Sequence, residues 1–270
     1  MLHSDKSTTY RRRVQNAIIY YQSDEGFTYI YNMKAMLFAA GLGTRLKPFT
    51  DNNPKALAEV NNKTLLEHNI RYLQRFGIYE VIVNVHHFAA KIEDVIYEHD
   101  GFGSEITISD ERDAVLETGG GLIKAAPYFE HEDAFVVMNV DVLTTLDLSK
   151  MIAAHKDSNT IATLAVMQRE SSRQLLFDER MQLCGWKNNG TGEERIARQV
   201  DALQPFAFSG IQVLSKTLLQ NNLFQGKFSL IDLYLHLAKT QVLKGYDHTG
   251  NVFIDVGKPE SLSKAEYLFQ

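Results

Sequence analysis

Cysteine is almost absent from this 270-residue chain, where Cys184 stands alone. One thiol cannot close an internal disulfide, and no Cys-x-x-Cys pair exists to hold zinc, so the expected compartment is reducing. The nine histidines show no metal-ligand spacing such as His-x-x-x-His. Positive charge is not in surplus either: 28 Lys and Arg stand against 33 Asp and Glu, a formal net charge of −5. Nucleic-acid binders draw their affinity from clustered cations, so nucleic acid drops out as a partner. Long apolar runs are also missing. The longest, Ala35 to Leu42, falls far short of the ~20 residues a spanning helix needs. The basic triplet Arg11 to Arg13 resembles the start of a signal peptide, yet the residues after it turn polar before an apolar segment of roughly 7–15 residues develops. The expectation is a cytoplasmic protein with no membrane partner.

The remaining composition, 44% hydrophobic and 23% charged, is that of an ordinary globular chain with enough length for a substantial core. Residues 1–32 differ from the rest. They hold Tyr10, Tyr20, Tyr21, Tyr29 and Tyr31 among the chain's twelve tyrosines and show no sustained apolar period. Two readings stand for this N-terminal extension: a disordered or start-site segment, with the working domain covering 33–270, or a tyrosine-rich arm that docks on a partner.

From Met33 onward, short apolar runs alternate with amphipathic stretches. Strands are expected at 35–40, 80–85, 105–109, 134–140 and 160–167. Helices are expected at 63–76, 88–99, 119–129 and 147–156, with Gly77 and Gly101 placed as terminators. Such β-α-β alternation predicts an α/β fold with a mostly parallel open sheet and helices on both faces. After Gln168 the pattern changes. Residues 175–200 read as a small antiparallel ribbon with a turn at Asn188 to Gly192, followed by PFAFSGIQVL (205–214), two helices within 215–240, NVFIDVG (251–257) and a last helix near 259–269. Open α/β sheets bind ligands beyond the carboxyl ends of their strands, so polar residues there carry the most weight.

Four such places stand out. The turn AAGLGTRLKP (39–48) follows the first strand. Gly41 and Gly43 let main-chain N–H groups approach an anion, and Arg45, Lys47 and Lys55 add the cations a triphosphate needs. It is neither a P-loop, which needs Gly-Lys-Ser/Thr, nor a dinucleotide fingerprint, which needs a glycine where Leu46 stands. Asp141 in MNVDV and Asp255 in FIDVG each follow a strand-like run, and two such acids can share one Mg²⁺. The fourth place is LETGGGLIKAA (116–126). Thr118 is expected to cap a helix whose glycines, Gly119 to Gly121, leave N–H groups free for a sugar, base or phosphate, with Glu117 accepting from sugar hydroxyls. His86 and His87 read as a polar loop pair, Cys184 beside Trp186 as packing, and Arg169, Glu170 and Arg173 as a solvated face.

In this order, AAGLGTRLKPFT–PKAL, ETGGG, NVDV, FSGI and IDVG resemble the sugar-1-phosphate nucleotidyltransferases, from about Met33 to the C-terminus. The short chain and the ETGGG, FAFSGI and late DVG elements are most similar to the N-acetylmuramate-1-phosphate uridylyltransferases of peptidoglycan recycling, with mannose-1-phosphate guanylyltransferases close behind. The resemblance implies the Rossmann-like nucleotide-diphospho-sugar transferase fold. It also implies a transfer of NMP from a nucleoside triphosphate to a sugar 1-phosphate, with Mg²⁺ as cofactor. By the same resemblance Ala40, Gly41, Gly43, Thr44, Arg45 and Lys55 bind the nucleotide, with Arg45 and Lys55 acting at the reacting phosphates. Asp110 and Glu111 fall near the base. Glu117, Thr118, Gly119, Gly120 and Asn139 fall near the sugar, and Asp141 and Asp255 hold the metal. The chain departs from the family pattern at Val140, where glycine is usual, at Ala56, where proline is common, and in lacking a Glu-Lys-Pro element to hold the sugar phosphate. Val140 keeps a second reading open, a non-catalytic nucleotide-sugar binding or regulatory subunit. Oligomeric state has no signature in the sequence.

Overall fold

The computed structural model describes residues 19–23, 26–30, 33–220 and 224–270, with side chains from Met33 onward. Of the N-terminal extension it describes an antiparallel strand pair, Ile19–Ser23 with Gly26–Ile30. The rest of the expectations for 1–32 lie outside the described residues.

The first half alternates as the apolar runs dictate. It comprises β1 (Lys34–Phe38), α1 (Leu65–Gln74), β2 (Glu80–Val85), α2 (Ala89–Glu98), β3 (Glu105–Asp110), α3 (Glu117–Ala125), β4 (Ala134–Asn139) and α4 (Leu148–Asp157). Helix α1 begins where Thr64 accepts from the Glu67 N–H at 3.1 Å, a cap that satisfies one orphan amide. Its Leu66, Ile70 and Leu73 are fully buried, each worth about 1.5–3 kcal/mol of transfer free energy. The second half comprises β5 (Ala162–Met167), β6 (Arg173–Phe177), β7 (Leu183–Asn188), β8 (Glu194–Ile196), β9 (Gln204–Ser215), α5 (Leu230–Leu237), β10 (Leu243–Asp247) and α6 (Pro259–Leu268).

These strands form one ten-stranded mixed sheet, ordered β8-β7-β6-β9-β4-β1-β2-β3, with β5 on β9 and β10 on β5. Strands β4, β1, β2 and β3 are mutually parallel, while β9 runs antiparallel to β4, β5 and β6. The antiparallel ribbon expected within 175–200 is present as β6, β7 and β8. Leu175 to Phe177 pair with Phe206 to Gln204, which makes β6, β7 and β8 a continuation of the main sheet. Of the two helices expected within 215–240, the first is a short 3-10 turn at Lys216–Gln220, and β10 is a strand that the apolar pattern did not announce.

Alternation along each strand divides the core. Ala35, Leu37, Val81, Val83, Val136 and Met138 face α1, α2 and α4, while Met36, Ile82, Phe135 and Val137 face α3 and α5. A third, smaller cluster has direct bearing on the site. In it Leu46, Ala58 and Val60 of the segment after β1 pack with Leu143, Ile254, Val256 and Ala265 of α6. That cluster fastens the Phe253–Asp255 strand, which pairs antiparallel with Val142–Thr144, against the loop that carries Arg45 and Lys55.

Candidate active site

A cleft of about 340 Å³ opens beyond the carboxyl ends of β1, β2 and β4. Phe38 to Arg45 form its floor, and Lys55, Asn84, Glu111, Glu117, Thr118, Asn139, Asp141 and Gly257 line its sides. Among the described residues the N–H groups of Gly41, Leu42 and Gly43 meet no acceptor, so the loop presents donors to whatever enters. Its two glycines do different things. A Cβ on Gly41 would stand in open space. Gly43 adopts φ +61°, and a Cβ there would press on Thr50 at 2.9 Å and on Lys55 at 3.1 Å, so glycine brings Lys55 up beneath the loop. The Thr50 hydroxyl donates to the Gly43 carbonyl at 2.9 Å and fixes that turn.

Asp141 and Asp255, distant in sequence, are brought together by backbone pairing. Asp255 lies opposite Val142, and the Val256 N–H donates to the Asp141 carbonyl at 2.8 Å. Lys55 Nζ forms an ion pair with Asp141 and lies 3.9 Å from Asp255 Oδ1, so one ammonium serves both carboxylates. About half of the Asp255 side chain stays open to solvent (48%). Its carboxyl is nevertheless held above its ordinary pKa, first by the atoms packed around it and next by the Asp141 charge, while Lys55, Arg45 and Arg169 pull the other way. Gly257 gives this group room, since a Cβ there would lie 2.6 Å from Asp255 Oδ1 and 3.0 Å from the Arg45 guanidinium.

Asn84 is a site residue that the sequence reading passed over. Its Oδ1 accepts from the Ala39 N–H at 2.7 Å and the Ala40 N–H at 3.2 Å, and its Nδ2 donates to Glu111 Oε1 at 2.7 Å. One amide thereby ties the glycine loop to the opposite wall. The available signal was a polar residue inside the apolar strand EVIVNV, where Asn84 is buried at 2% exposure. Burial raises the Glu111 pKa, an effect opposed by the Asn84 hydrogen bond and by Lys124 and His86. The His86 ring also contacts the Glu111 carbonyl at 2.7 Å.

Several expectations change here. Asp110 does not line the cleft; it accepts from the Arg112 N–H at 2.9 Å and pairs with the Arg112 side chain. Thr118 does not cap α3, because its hydroxyl accepts from the Leu230 N–H at 3.1 Å. The amides of Gly119 and Gly120 are not free for a ligand, since both donate to the Phe228 carbonyl, at 2.9 and 3.4 Å. The glycine triplet answers to the chain's own close approach instead. A Cβ on Gly119 would strike the Phe228 ring at 2.2 Å, one on Gly120 the Gly226 carbonyl at 2.1 Å, and one on Gly121 Glu111 Oε1 at 2.6 Å. Glu117, at φ +58°, borders the cleft and pairs with Lys227. Gly210 of FSGI, at φ +71°, makes room for the Asn139 amide, which a Cβ would approach to 2.7 Å. Val140 keeps a negative φ and is buried in the core at 4% exposure, with its carbonyl accepting from Asn69 Nδ2 at 2.7 Å. Arg169 is not part of a solvated face; it is half-buried beside Asp255.

The profile of the Nucleotidyl transferase family matches residues 34–175. The N-acetylmuramate alpha-1-phosphate uridylyltransferase of Caulobacter vibrioides is 31% identical over 240 residues, covering 86% of this chain and 95% of that protein. The mannose-1-phosphate guanylyltransferase catalytic subunit beta of Xenopus tropicalis is 33% identical over 140 residues, covering 51% of this chain and 39% of that protein. Among solved structures, HddC from Yersinia pseudotuberculosis complexed with GMP-PN superposes with a TM-score of 0.71 at 27% identity, covering 88% of this chain and 100% of that one.

Proposed function

The chain belongs to the sugar-1-phosphate nucleotidyltransferases of the nucleotidyl transferase family, and from that premise we propose that it transfers UMP from UTP to N-acetylmuramate 1-phosphate. The setting is cytoplasmic cell-wall sugar recycling, and the uridylyltransferase of Caulobacter vibrioides, matched along nearly its whole length, supports that substrate pair. Transfer itself is supported above all by Lys55, held against Asp141 and Asp255 at the mouth of a glycine-loop cleft.

An oxygen of the acceptor phosphate uses a lone pair to bond the α-phosphorus of the nucleotide, and the bond from that phosphorus to pyrophosphate breaks in line. The attacking oxygen is already ionised, so no protein nucleophile or base is required, and the chain's task is to position and neutralise two polyanions. The loop amides of Gly41 to Gly43 receive phosphate oxygens, Arg45 holds the departing pyrophosphate, and Lys55 offsets charge at the reacting phosphorus. Asn139 and Glu117 line the wall of the same cleft.

Asp141 and Asp255 fit a Mg²⁺ ion. They are hard oxygen donors that converge on one cation, and Asp255 is destabilised as an anion by burial first and by the Asp141 charge next. Among the described residues no group of three or more His, Cys, Asp or Glu side chains gathers, which leaves most of the shell to water and phosphate, as Mg²⁺ prefers. When bound, the ion supplies charge neutralisation at the phosphates.

One observation favours a second reading, guanylyl transfer. The buried Glu111 carboxylate borders the cleft with Oε1 held by Asn84, and guanine presents two adjacent N–H donors where uracil presents one. Pyrophosphate release with Mg²⁺ decides between them, crossing UTP, GTP, CTP and dTTP against N-acetylmuramate, N-acetylglucosamine, glucose, mannose and heptose 1-phosphates. The expected maximum is UTP with N-acetylmuramate 1-phosphate. A maximum with GTP selects the second reading, and folded protein silent with every pair overturns the transferase.

A further inference from the structure

A second cleft, of about 650 Å³, meets the first at Arg45 and has Asp255 in its own wall. Arg169, Ser171, Arg173 and Trp186 form its other walls. Its acidic residue is Asp255, against three arginines.

Arg169 differs from the other two arginines in how it is held. It follows β5, and its guanidinium lies 4.7 Å from the centre of the Phe253 ring. Nη2 donates to the Phe208 carbonyl at 3.0 Å and Nη1 to the Glu170 carbonyl at 3.4 Å. Nε is shut from water with no acceptor. Among the described residues no carboxylate lies within ion-pair distance of Arg169, though the Asp255 charge acts on it. A half-buried guanidinium fixed by carbonyls and an aromatic face, yet lacking an anionic partner, costs free energy that an incoming anion recovers. Its forked donors match a phosphate, and its fixed plane leaves little rotamer entropy to lose on binding. The Trp186 indole, with Arg195 over its ring at 5.9 Å, gives the same cleft an aromatic wall on which a sugar ring can lie.

We propose that this second cleft is the acceptor site and that Arg169 is the group that binds the phosphate of the sugar 1-phosphate, in place of the missing Glu-Lys-Pro lysine. The assignment rests on the transferase reading above. It sets the acceptor phosphate at Arg169, next to Asp255.

The test uses the full chain with whichever nucleotide and sugar 1-phosphate give the highest turnover, comparing wild type with Arg169→Ala and Arg169→Lys. The expected result is a KM for the sugar 1-phosphate raised roughly 10- to 100-fold in Arg169→Ala, with the KM for the nucleotide within about twofold. Arg169→Lys, which keeps the charge and the stem but loses the fork, falls between the two. If turnover becomes too slow to measure, calorimetric titration replaces it. Loss of sugar 1-phosphate binding with nucleotide binding retained supports the assignment, and retention of both overturns it. An unchanged acceptor KM, or equal rises in both KM values in the two variants, also overturns it, the latter because it marks Arg169 as structural. Wild type silent with every pair removes the transferase reading itself, a different outcome from an active wild type with indifferent variants.

Discussion

The two clefts share a border but are made differently. The first lies over parallel strands, so the residues at its floor arrive at strand ends and in the turns that follow, and backbone amides do much of the contacting. The second lies against antiparallel β6, β7 and β9, whose side chains stand off the sheet faces, and arginine, serine and tryptophan side chains do the contacting. Parallel crossovers gather ligand groups along one edge whatever the intervening helices carry. Antiparallel pairing offers no such edge, so a binding surface there depends on individual side chains and is altered by single substitutions.

The sharpest break of that comparison is at the carboxylates between the clefts. Asp141→Asn keeps the shape of the site but removes one of the two charges that Lys55 serves. Turnover is expected to fall roughly a thousandfold, with nucleotide binding retained and the melting temperature within a few degrees of wild type. Near-normal turnover in the folded variant would detach Asp141 from the reaction.

Next in size is an effect on the seam between the halves rather than on either cleft. His155 on α4 is buried, and its ring contacts Thr163 of β5 at 2.9 Å and Ser215 of β9 at 3.1 Å. Burial, with some help from Lys156, lowers its pKa from 6.5 to about 4. Below pH 6.5 the unfolded chain takes up a proton that the folded chain refuses, so stability is full above that pH and lost as pH falls towards 4. The loss approaches ~3 kcal/mol. Denaturant unfolding of wild type between pH 7 and 4 is expected to show that slope, and His155→Gln to lack this contribution. Equal slopes in the two proteins would remove His155 as its source.

The smallest effect sharpens the antiparallel side. Arg195 pairs with Asp232 of α5 at 2.7 Å near the surface and covers the half-buried Trp186. Arg195→Ala is expected to cost under about 1 kcal/mol in denaturant unfolding, a value small enough to leave the fold of the ribbon intact. A loss several times larger would mean that the aromatic wall depends on this brace.

The same contrast governs what the sequence discloses. The strands and helices of the first half are visible because each carries its own apolar period, and AAGLGTRLKP is visible because its parts are contiguous. The glycine triplet was visible as a demand for close approach, but not as an approach by Gly226 and Phe228, since that neighbour is set by the packing of α5 on α3. Arg169 stands among Gln168, Glu170 and Ser171 and looks solvated in that company. Only the Phe208 carbonyl and the Phe253 ring, from two other strands, take it out of water. The antiparallel ribbon within 175–200 is legible from its turn residues, but its attachment to the main sheet is not, because the pairing of Leu175 with Phe206 is written in neither segment alone.

The small cluster that binds α6 and the Phe253–Asp255 strand to the segment after β1 also sets an order of assembly during translation. The ribosome delivers the glycine loop, Lys55 and Asp141 before Asp255, and the parallel half can begin to fold before Asp255 emerges. Until Asp255 pairs beside Val142, Lys55 has a single carboxylate partner and the site lacks its second acid. The glycine loop and its cation are therefore made well before the carboxylate pair that they border is complete.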